Sequence, residues 1–315
     1  MRIAILDDYQ QVAISLADWA SLPGTEVVAF ADHVTDAGQL VNRLAAFDAV
    51  CLTRERTKLT RAILECLPQL RLILATGGRN EVTIDMEAAR EQKITVCQTR
   101  SFATATVEIT WWLLLSLFRK AAHEHAGVRA GGWQMSLGQS VWERTLGIVG
   151  LGKLGIPVAK VARAFGMKVI AWSPNLNPER AAAEGVRAVS KQELLSTADA
   201  ITIHMPLSER SRLIIDELDL GQMRKEAYLV NTSRAGLVNE VALLDMLISG
   251  RIAGYGVDVF EEEPLRHDHP FRHLPQVIST PHIGYVVEEG YRVYFTDCVE
   301  NARAYMQGKP IRVLA

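Results

Sequence analysis

The sequence predicts an α/β protein built from two doubly wound parallel sheets, and three observations carry that prediction. Short runs rich in Val, Ile, Leu and Ala alternate with helical patterns from the N-terminus to about residue 284, the pattern of parallel strands joined by crossover helices. A chain of 315 residues is long enough for about two domains. Residues 145–155, T-L-G-I-V-G-L-G-K-L-G, set a glycine turn between a strand and a helix halfway along the chain.

In that stretch Leu146, Ile148 and Val149 read as a short buried strand, and Gly150, Gly152 and Gly155 supply G-x-G-x-x-G. Val158, Ala159, Val161, Ala162 and Phe165 follow at helical spacing. Strand, glycine turn and helix form the context that a dinucleotide-binding turn requires. Gly150 permits the turn, Gly152 lets a pyrophosphate approach the backbone, and Gly155 lets the helix pack closely on the strand. The phosphates then meet free N–H groups and the positive end of the helix dipole. A glycine pattern alone fits an ordinary βα turn equally well; the flanking strand and helix favour the nucleotide.

Before that turn, residues 3–6, 27–30, 49–52, 72–75 and 94–97 read as strands, with helical patterns at 10–19, 36–46, 60–67 and 85–92. This first unit carries Asp7 and Asp8 where dinucleotide glycines would stand, so it is expected to be a second sheet without the nucleotide signature. Thr76, Gly77, Gly78 and Arg79 follow its fourth strand directly, on the edge where open α/β sheets bind ligands. A plain glycine turn with a solvated arginine is the alternative there. Residues 103–129 read as one long helix, apolar in its middle.

Beyond the turn, strands are expected at 168–172, 200–204, 228–230, 254–259 and 277–279, and helices at 191–196, 240–249 and 288–307. The strand at 168–172 runs into Ser173, Pro174 and Asn175, where an NAD site would carry an Asp or Glu on the ribose hydroxyls. Ser173 offers a hydrogen bond without the charge that repels a ribose phosphate. Arg180 is the nearest arginine downstream. NADH is therefore expected over NADPH, but modestly.

Composition excludes several classes. Net charge is −2, 49% of residues are hydrophobic and 22% charged, an ordinary globular balance with no nucleic-acid or membrane surface. The apolar stretch 109–118 is about half the length needed to span a bilayer. The N-terminus has no long apolar segment of a signal peptide, so a cytoplasmic location is expected. Cys51, Cys66, Cys97 and Cys298 are scattered, without metal-ligand spacing. His267, His269 and His273 lie near the Glu261–Glu263 run, but on a Pro-containing loop that reads as solvated, so no metal is expected.

Three polar residues follow strands of the second unit: Arg234 in N-T-S-R-A-G, Glu263 in D-V-F-E-E-E-P and His282 in T-P-H-I-G. Each alone is unremarkable. All three fall on the sheet edge where the nucleotide would also lie, which makes them a candidate catalytic constellation.

These segments, with G-I-V-G-L-G-K-L-G, H-M-P-L-S at 204–208 and T-V-E at 106–108, resemble the signatures of the D-isomer-specific 2-hydroxyacid dehydrogenases over essentially the whole chain. The resemblance implies a flavodoxin-like substrate domain (residues 1–100 plus 286–315), an inserted Rossmann cofactor domain (101–285) with a cleft between them, and a homodimer formed through the cofactor domain and the long helix. It implies hydride transfer between NAD, or NADP, and a D-2-hydroxy acid/2-oxo acid pair. Arg234 then binds the substrate carboxylate, His282 is the acid/base, and Glu263 pairs with His282, a carboxylate that favours the imidazolium. Thr76, Gly77, Gly78 and Arg79 join Arg234 and His282 around the substrate. The cofactor falls to Gly150, Gly152, Lys153, Leu154 and Gly155 at the turn, with Ser173, Pro174, His204, Met205 and Pro206. Thr106, Thr232, Ser233, Asp258 and Gly284 complete that set, Asp258 meeting the nicotinamide amide.

The chain departs from the family pattern at Ala235, Asn239 and Tyr285, where Gly, Asp and a small residue are usual. The first two leave the chemistry intact; Tyr285 is expected to narrow the pocket or to stack near the cofactor. No regulatory domain is expected after the final helix. The alternative reading from another class is an NAD(H)-sensing corepressor of the same fold, in which the three polar residues are also kept.

Overall fold

The computed structural model describes residues 1–78 and 83–315. The chain divides into two compact units, Met1–Phe102 with Val286–Ala315, and Ala103–Tyr285.

The first unit is built on β1 (Arg2–Ile5), β2 (Glu26–Ala29), β3 (Ala49–Leu52), β4 (Leu72–Ala75) and β5 (Thr95–Gln98), all parallel in the order β2-β1-β3-β4-β5. Its helices are α1 (Ala37–Leu44), α2 (Arg61–Glu65) and α3 (Met86–Glu91). Strands β3 and β4 are buried at every position, which is why they read as unbroken apolar runs rather than alternating ones. Leu40, Leu44, Ile63, Leu64, Ala88 and Ala89 supply the helical side of the core. The helical pattern at 10–19 does not become a helix. The Asp8 carboxylate takes the N–H groups of Val12 and Ala13 (3.1 and 3.0 Å), and Trp19 donates its indole N–H to Ala13 O (2.9 Å). Side chains thus occupy backbone groups that a helix would use, and only a short 3₁₀ turn at Trp19–Ser21 forms.

The second unit begins with α4 (Thr104–Arg119) and α5 (Ala121–Arg129). The single helix expected at 103–129 is broken at Lys120, whose φ of +55° ends α4 in a left-handed cap. Then follow β6 (Thr145–Val149), α6 (Gly155–Ala164), β7 (Lys168–Trp172), α7 (Pro178–Ala183), β8 (Arg187–Ala188), α8 (Lys191–Thr197), β9 (Ala200–Ile203), α9 (Glu217–Gln222), β10 (Tyr228–Asn231), α10 (Glu240–Ile248), β11 (Gly254–Val257) and β12 (Val277–Ser279). The seven strands are parallel in the order β12-β11-β10-β9-β6-β7-β8. The order reverses between β6 and β9, the switch point at which doubly wound sheets bind ligands. One face packs against α4 and α6 through Leu113, Leu114, Leu117, Val158 and Ala162, and the other packs against Leu194, Leu220, Leu243 and Leu247. The segments α7, α9 and β8 are too short to stand out by periodicity. Helix α9 owes its start to a reciprocal cap between Asp216 and Asp219.

The last helix, α11 (Glu288–Met306), returns to the first unit. It buries Tyr291, Tyr294, Phe295, Cys298 and Ala302. It also buries Asp297, whose carboxylate is matched by Arg100 through its backbone N–H (2.8 Å) and its guanidinium (2.7 Å). Beyond it, Val313 pairs antiparallel with Cys97 of β5. Among the described residues no helix is long and apolar enough to cross a membrane.

Candidate active site

The carboxyl edge of the second sheet gathers most of the predicted residues, each supplied by the loop after one strand. After β6, Gly150 turns with φ +99° against His204; a Cβ there would stand 2.6 Å from His204 O. A Cβ on Gly155 would stand 2.2 Å from Gly150 O, so the helix start and the strand end are in direct backbone contact. At Gly152 the same Cβ would meet nothing within 4 Å. Two glycines are thus needed for packing, whereas the middle one faces open space, the arrangement a pyrophosphate requires. Leu154 occupies the N-cap of α6 without a side-chain cap bond, and Lys153 beside it is exposed. The first N–H groups of α6 therefore lack a side-chain acceptor, as an anion site demands.

After β7 come Ser173 and Pro174. Ser173 lines a cavity of about 360 Å³ together with Gly152, Asn175 and Arg180. After β9 comes His204, buried, with Nε2 2.9 Å from Thr202 Oγ1. Burial pulls its imidazole down to about 4, so the ring is neutral near pH 7. Met205 also closes on Gly150, and Pro206 O accepts the Ser211 hydroxyl (2.7 Å).

After β10, the Asn231 side chain orders the turn that carries Arg234. Its Oδ1 accepts from Ser233 N (2.9 Å), and its Nδ2 donates to Arg234 O (2.9 Å). Ser233 Oγ donates to Ile203 O (2.7 Å). A hydroxyl relay ties this turn to α4: Thr106 donates to Gly284 O (2.9 Å), Thr110 donates to Thr106 O (2.7 Å), and Thr232 Oγ1 lies 2.8 Å from Thr110 Oγ1. Because Thr110 has given its one proton to Thr106 O, Thr232 is the donor in the last bond. Asn231 and Thr110 were not singled out by the sequence reading. Asn231 was visible only as the residue before T-S-R, and Thr110 only as a polar residue inside an apolar helix.

After β11 and β12 come Glu263 and His282, and the two side chains meet. Glu263 Oε2 lies 2.7 Å from His282 Nδ1, and Glu263 Oε1 accepts from Phe260 N (2.9 Å). His282 has φ +53° and donates its own N–H to Thr280 O (2.9 Å). That uncommon backbone is braced by Asp258, which accepts from Thr280 Oγ1 (2.6 Å), Ile283 N (2.8 Å) and Gly284 N (2.8 Å). Asp258 thus grips the chain on both sides of His282. Burial pushes the Asp258 carboxyl up from its ordinary value, and these donors oppose the rise. Gly284 is required because a Cβ would stand 2.9 Å from Asp258 Oδ2. Tyr285, also buried, sets its ring edge-on to His282, with centroids 5.4 Å apart.

The remaining predicted residues belong to the first unit. Thr76, Gly77 and Gly78 follow β4; Arg79 lies outside the described residues. Thr76 N is bonded to Leu52 O (3.1 Å) and Gly77 N to Thr99 Oγ1 (2.8 Å). Of the N–H groups of Thr76, Gly77, Gly78 and Arg79 expected to face an anion, those of Thr76 and Gly77 are therefore bonded within the fold. Arg54, missed in the sequence reading, lies against this loop, its Nη1 only 1.9 Å from where a Cβ on Gly77 would sit. It sits just past the carboxyl end of β3 with φ +58°, and its position after a strand was the signal available.

Residues 111–284 match the family model for the NAD binding domain of the D-isomer specific 2-hydroxyacid dehydrogenases. The chain is 36% identical to a D-3-phosphoglycerate dehydrogenase of Methanocaldococcus jannaschii over 264 residues, 82% of this chain and 50% of that protein. It thus spans about half the length of such relatives. It is 30% identical to a hydroxypyruvate reductase of Blautia hydrogenotrophica over 327 residues, covering 100% of this chain and 99% of that one. A crystal structure of a phosphoglycerate oxidoreductase from Vibrio cholerae superposes with a TM-score of 0.93 at 35% identity, covering 98% and 99% of the two chains.

Proposed function

Because the chain belongs to the D-isomer-specific 2-hydroxyacid dehydrogenase family, we propose that it transfers a hydride between NAD(P) and a short D-2-hydroxy acid/2-oxo acid pair. The observation that carries this reading is the 2.7 Å contact of Glu263 with His282 on the sheet edge that also presents Arg234 and the glycine turn. When bound, the nicotinamide cofactor supplies or accepts the hydride. Arg234 binds the substrate carboxylate through its planar fork, and the Asn231 bonds fix the turn from which it extends. Glu263 occupies Nδ1 of His282, which leaves Nε2 to hold the transferred proton. In reduction the imidazolium gives that proton to the ketone oxygen; in oxidation the neutral ring removes it from the hydroxyl. Relatives described as hydroxypyruvate reductase, D-3-phosphoglycerate dehydrogenase and, at 36% identity, glyoxylate reductase suggest hydroxypyruvate, its 3-phosphate and glyoxylate as first substrates.

The test is loss of NADH or NADPH absorbance with that panel and pyruvate. Turnover on one of them, abolished in His282→Ala, is expected. Tight cofactor binding with no turnover on any 2-oxo acid would favour the corepressor alternative instead.

A further inference from the structure

Three features converge at the end of β7. Ser173 directly follows the strand, so no carboxylate stands where one would hold the 2′-hydroxyl of an adenosine ribose and repel a phosphate there. The cavity beside Gly152 is lined by Ser173, Asn175, Asn177 and Arg180. Arg180 lies seven positions beyond Ser173 in sequence, and the turn into α7 brings it to the same cavity. That turn is held by Asn177, whose side chain accepts from Arg180 N (2.8 Å). The one acid on the cavity wall, Glu184, is opposed by Lys160 of α6 at 3.1 Å. Among the described residues no hydrogen bond or ion pair engages the Arg180 guanidinium. The cavity therefore presents an uncommitted cation, a hydroxyl and amides, with its only carboxylate countered.

We propose that this cavity is a 2′-phosphate subsite, that Arg180 is its specificity-determining residue, and that the chain prefers NADPH to NADH. This rests on the second unit being the cofactor-binding unit. A phosphate monoester suits a guanidinium, which binds two of its oxygens at once. Ser173 and Asn175 are the neutral donors beside it. The preference is the reverse of the one expected from Ser173 alone, because that expectation had no way to place Arg180 in the same cavity.

The test is binding to the protein without substrate, read by the fluorescence of NADPH and NADH on titration, with 2′,5′-ADP and 5′-AMP as competitors. NADPH is expected to bind at least about tenfold more tightly than NADH, and 2′,5′-ADP to compete better than 5′-AMP. Arg180→Ala should weaken NADPH by about tenfold or more and leave NADH within about twofold. Arg180→Lys should retain part of the preference, and Ser173→Asp should reverse it. Equal or tighter NADH binding by the unaltered protein overturns the proposal while leaving the dehydrogenase reading in place. So does an Arg180→Ala variant that weakens both cofactors alike or neither. Binding of neither cofactor would overturn the proposal and the reading beneath it together.

Discussion

Glu263 Oε2 and His282 Nδ1 stand 2.7 Å apart, although nineteen positions separate them in sequence. The carboxylate accepts at Nδ1 and so fixes the orientation of the ring and the nitrogen left for substrate. Glu263→Gln keeps the shape and offers an amide that can turn either its oxygen or its nitrogen to the ring, so the orientation is no longer fixed. Ketone reduction and hydroxy-acid oxidation should both lose kcat, by roughly tenfold, with KM for the cofactor nearly kept. Steady-state kinetics in both directions check this; an unchanged kcat would show that the pair is not coupled in catalysis.

Substitutions at His282 and Arg234 should differ in kind. His282→Ala should lower kcat by roughly a hundredfold or more, with cofactor affinity nearly kept. Arg234→Ala should raise KM and lower kcat, because the guanidinium both binds the carboxylate and orients the reacting carbon. Arg234→Lys should recover only part, since an ammonium lacks the planar fork. Steady-state kinetics on the best 2-oxo acid distinguish the three patterns.

The edge-on contact of Tyr285 with His282 predicts a positioning effect. Aromatic pairs of this kind contribute on the order of 1 kcal/mol beyond their burial. Tyr285→Phe should retain most of kcat, whereas Tyr285→Ala should lower it several-fold and broaden the range of 2-oxo acids accepted. An unchanged kcat and substrate range in Tyr285→Ala would leave the tyrosine a packing residue only.

The first unit contains a second paired histidine. His33 Nδ1 lies 2.8 Å from Asp7 Oδ1, and that hydrogen bond raises the His33 pKa above its ordinary value. A raised folded value means the pair stabilises the fold fully at pH below the unfolded value of about 6.5. The stabilisation is lost as pH rises through the folded value. His33→Gln should therefore cost about 1–2 kcal/mol at mildly acidic pH and progressively less in alkaline buffer. Thermal melts of both proteins across pH check the sign; a difference that grows with pH would refute it.

The second unit leaves Trp133 (77%), Leu137 (93%) and Trp142 (65%) exposed in the segment between α5 and β6. We propose that this segment contacts a second copy of the chain. Light scattering should then give twice the 34.9 kDa chain mass, and Leu137→Arg should shift it towards one chain without altering the far-ultraviolet spectrum. A monomeric mass for the unaltered protein would exclude the contact.

Strand–helix alternation and the strand–glycine–helix order were legible in the sequence because both are local. A four-residue apolar run such as 72–75 is too short for a helix and fits a strand buried on both faces, and Gly150, Gly152 and Gly155 carry their meaning in their spacing. Arg234, Glu263 and His282 could be nominated because each follows a strand, and parallel strands deliver their carboxyl ends to one edge. Tertiary structure decided what depends on partners distant in sequence. It put the Glu263 carboxylate on His282, bound Asp258 around the histidine turn, and drew Thr106, Thr110 and Thr232 into one hydroxyl relay. It spent the Gly77 N–H on Thr99 and set Arg54 against Gly77. It also broke the long helix at Lys120 and diverted residues 10–19 from a helix through Asp8. Periodicity reports which face of a segment is apolar, but a hydrogen bond depends on where a second segment places its atom, and only the folded chain fixes that position.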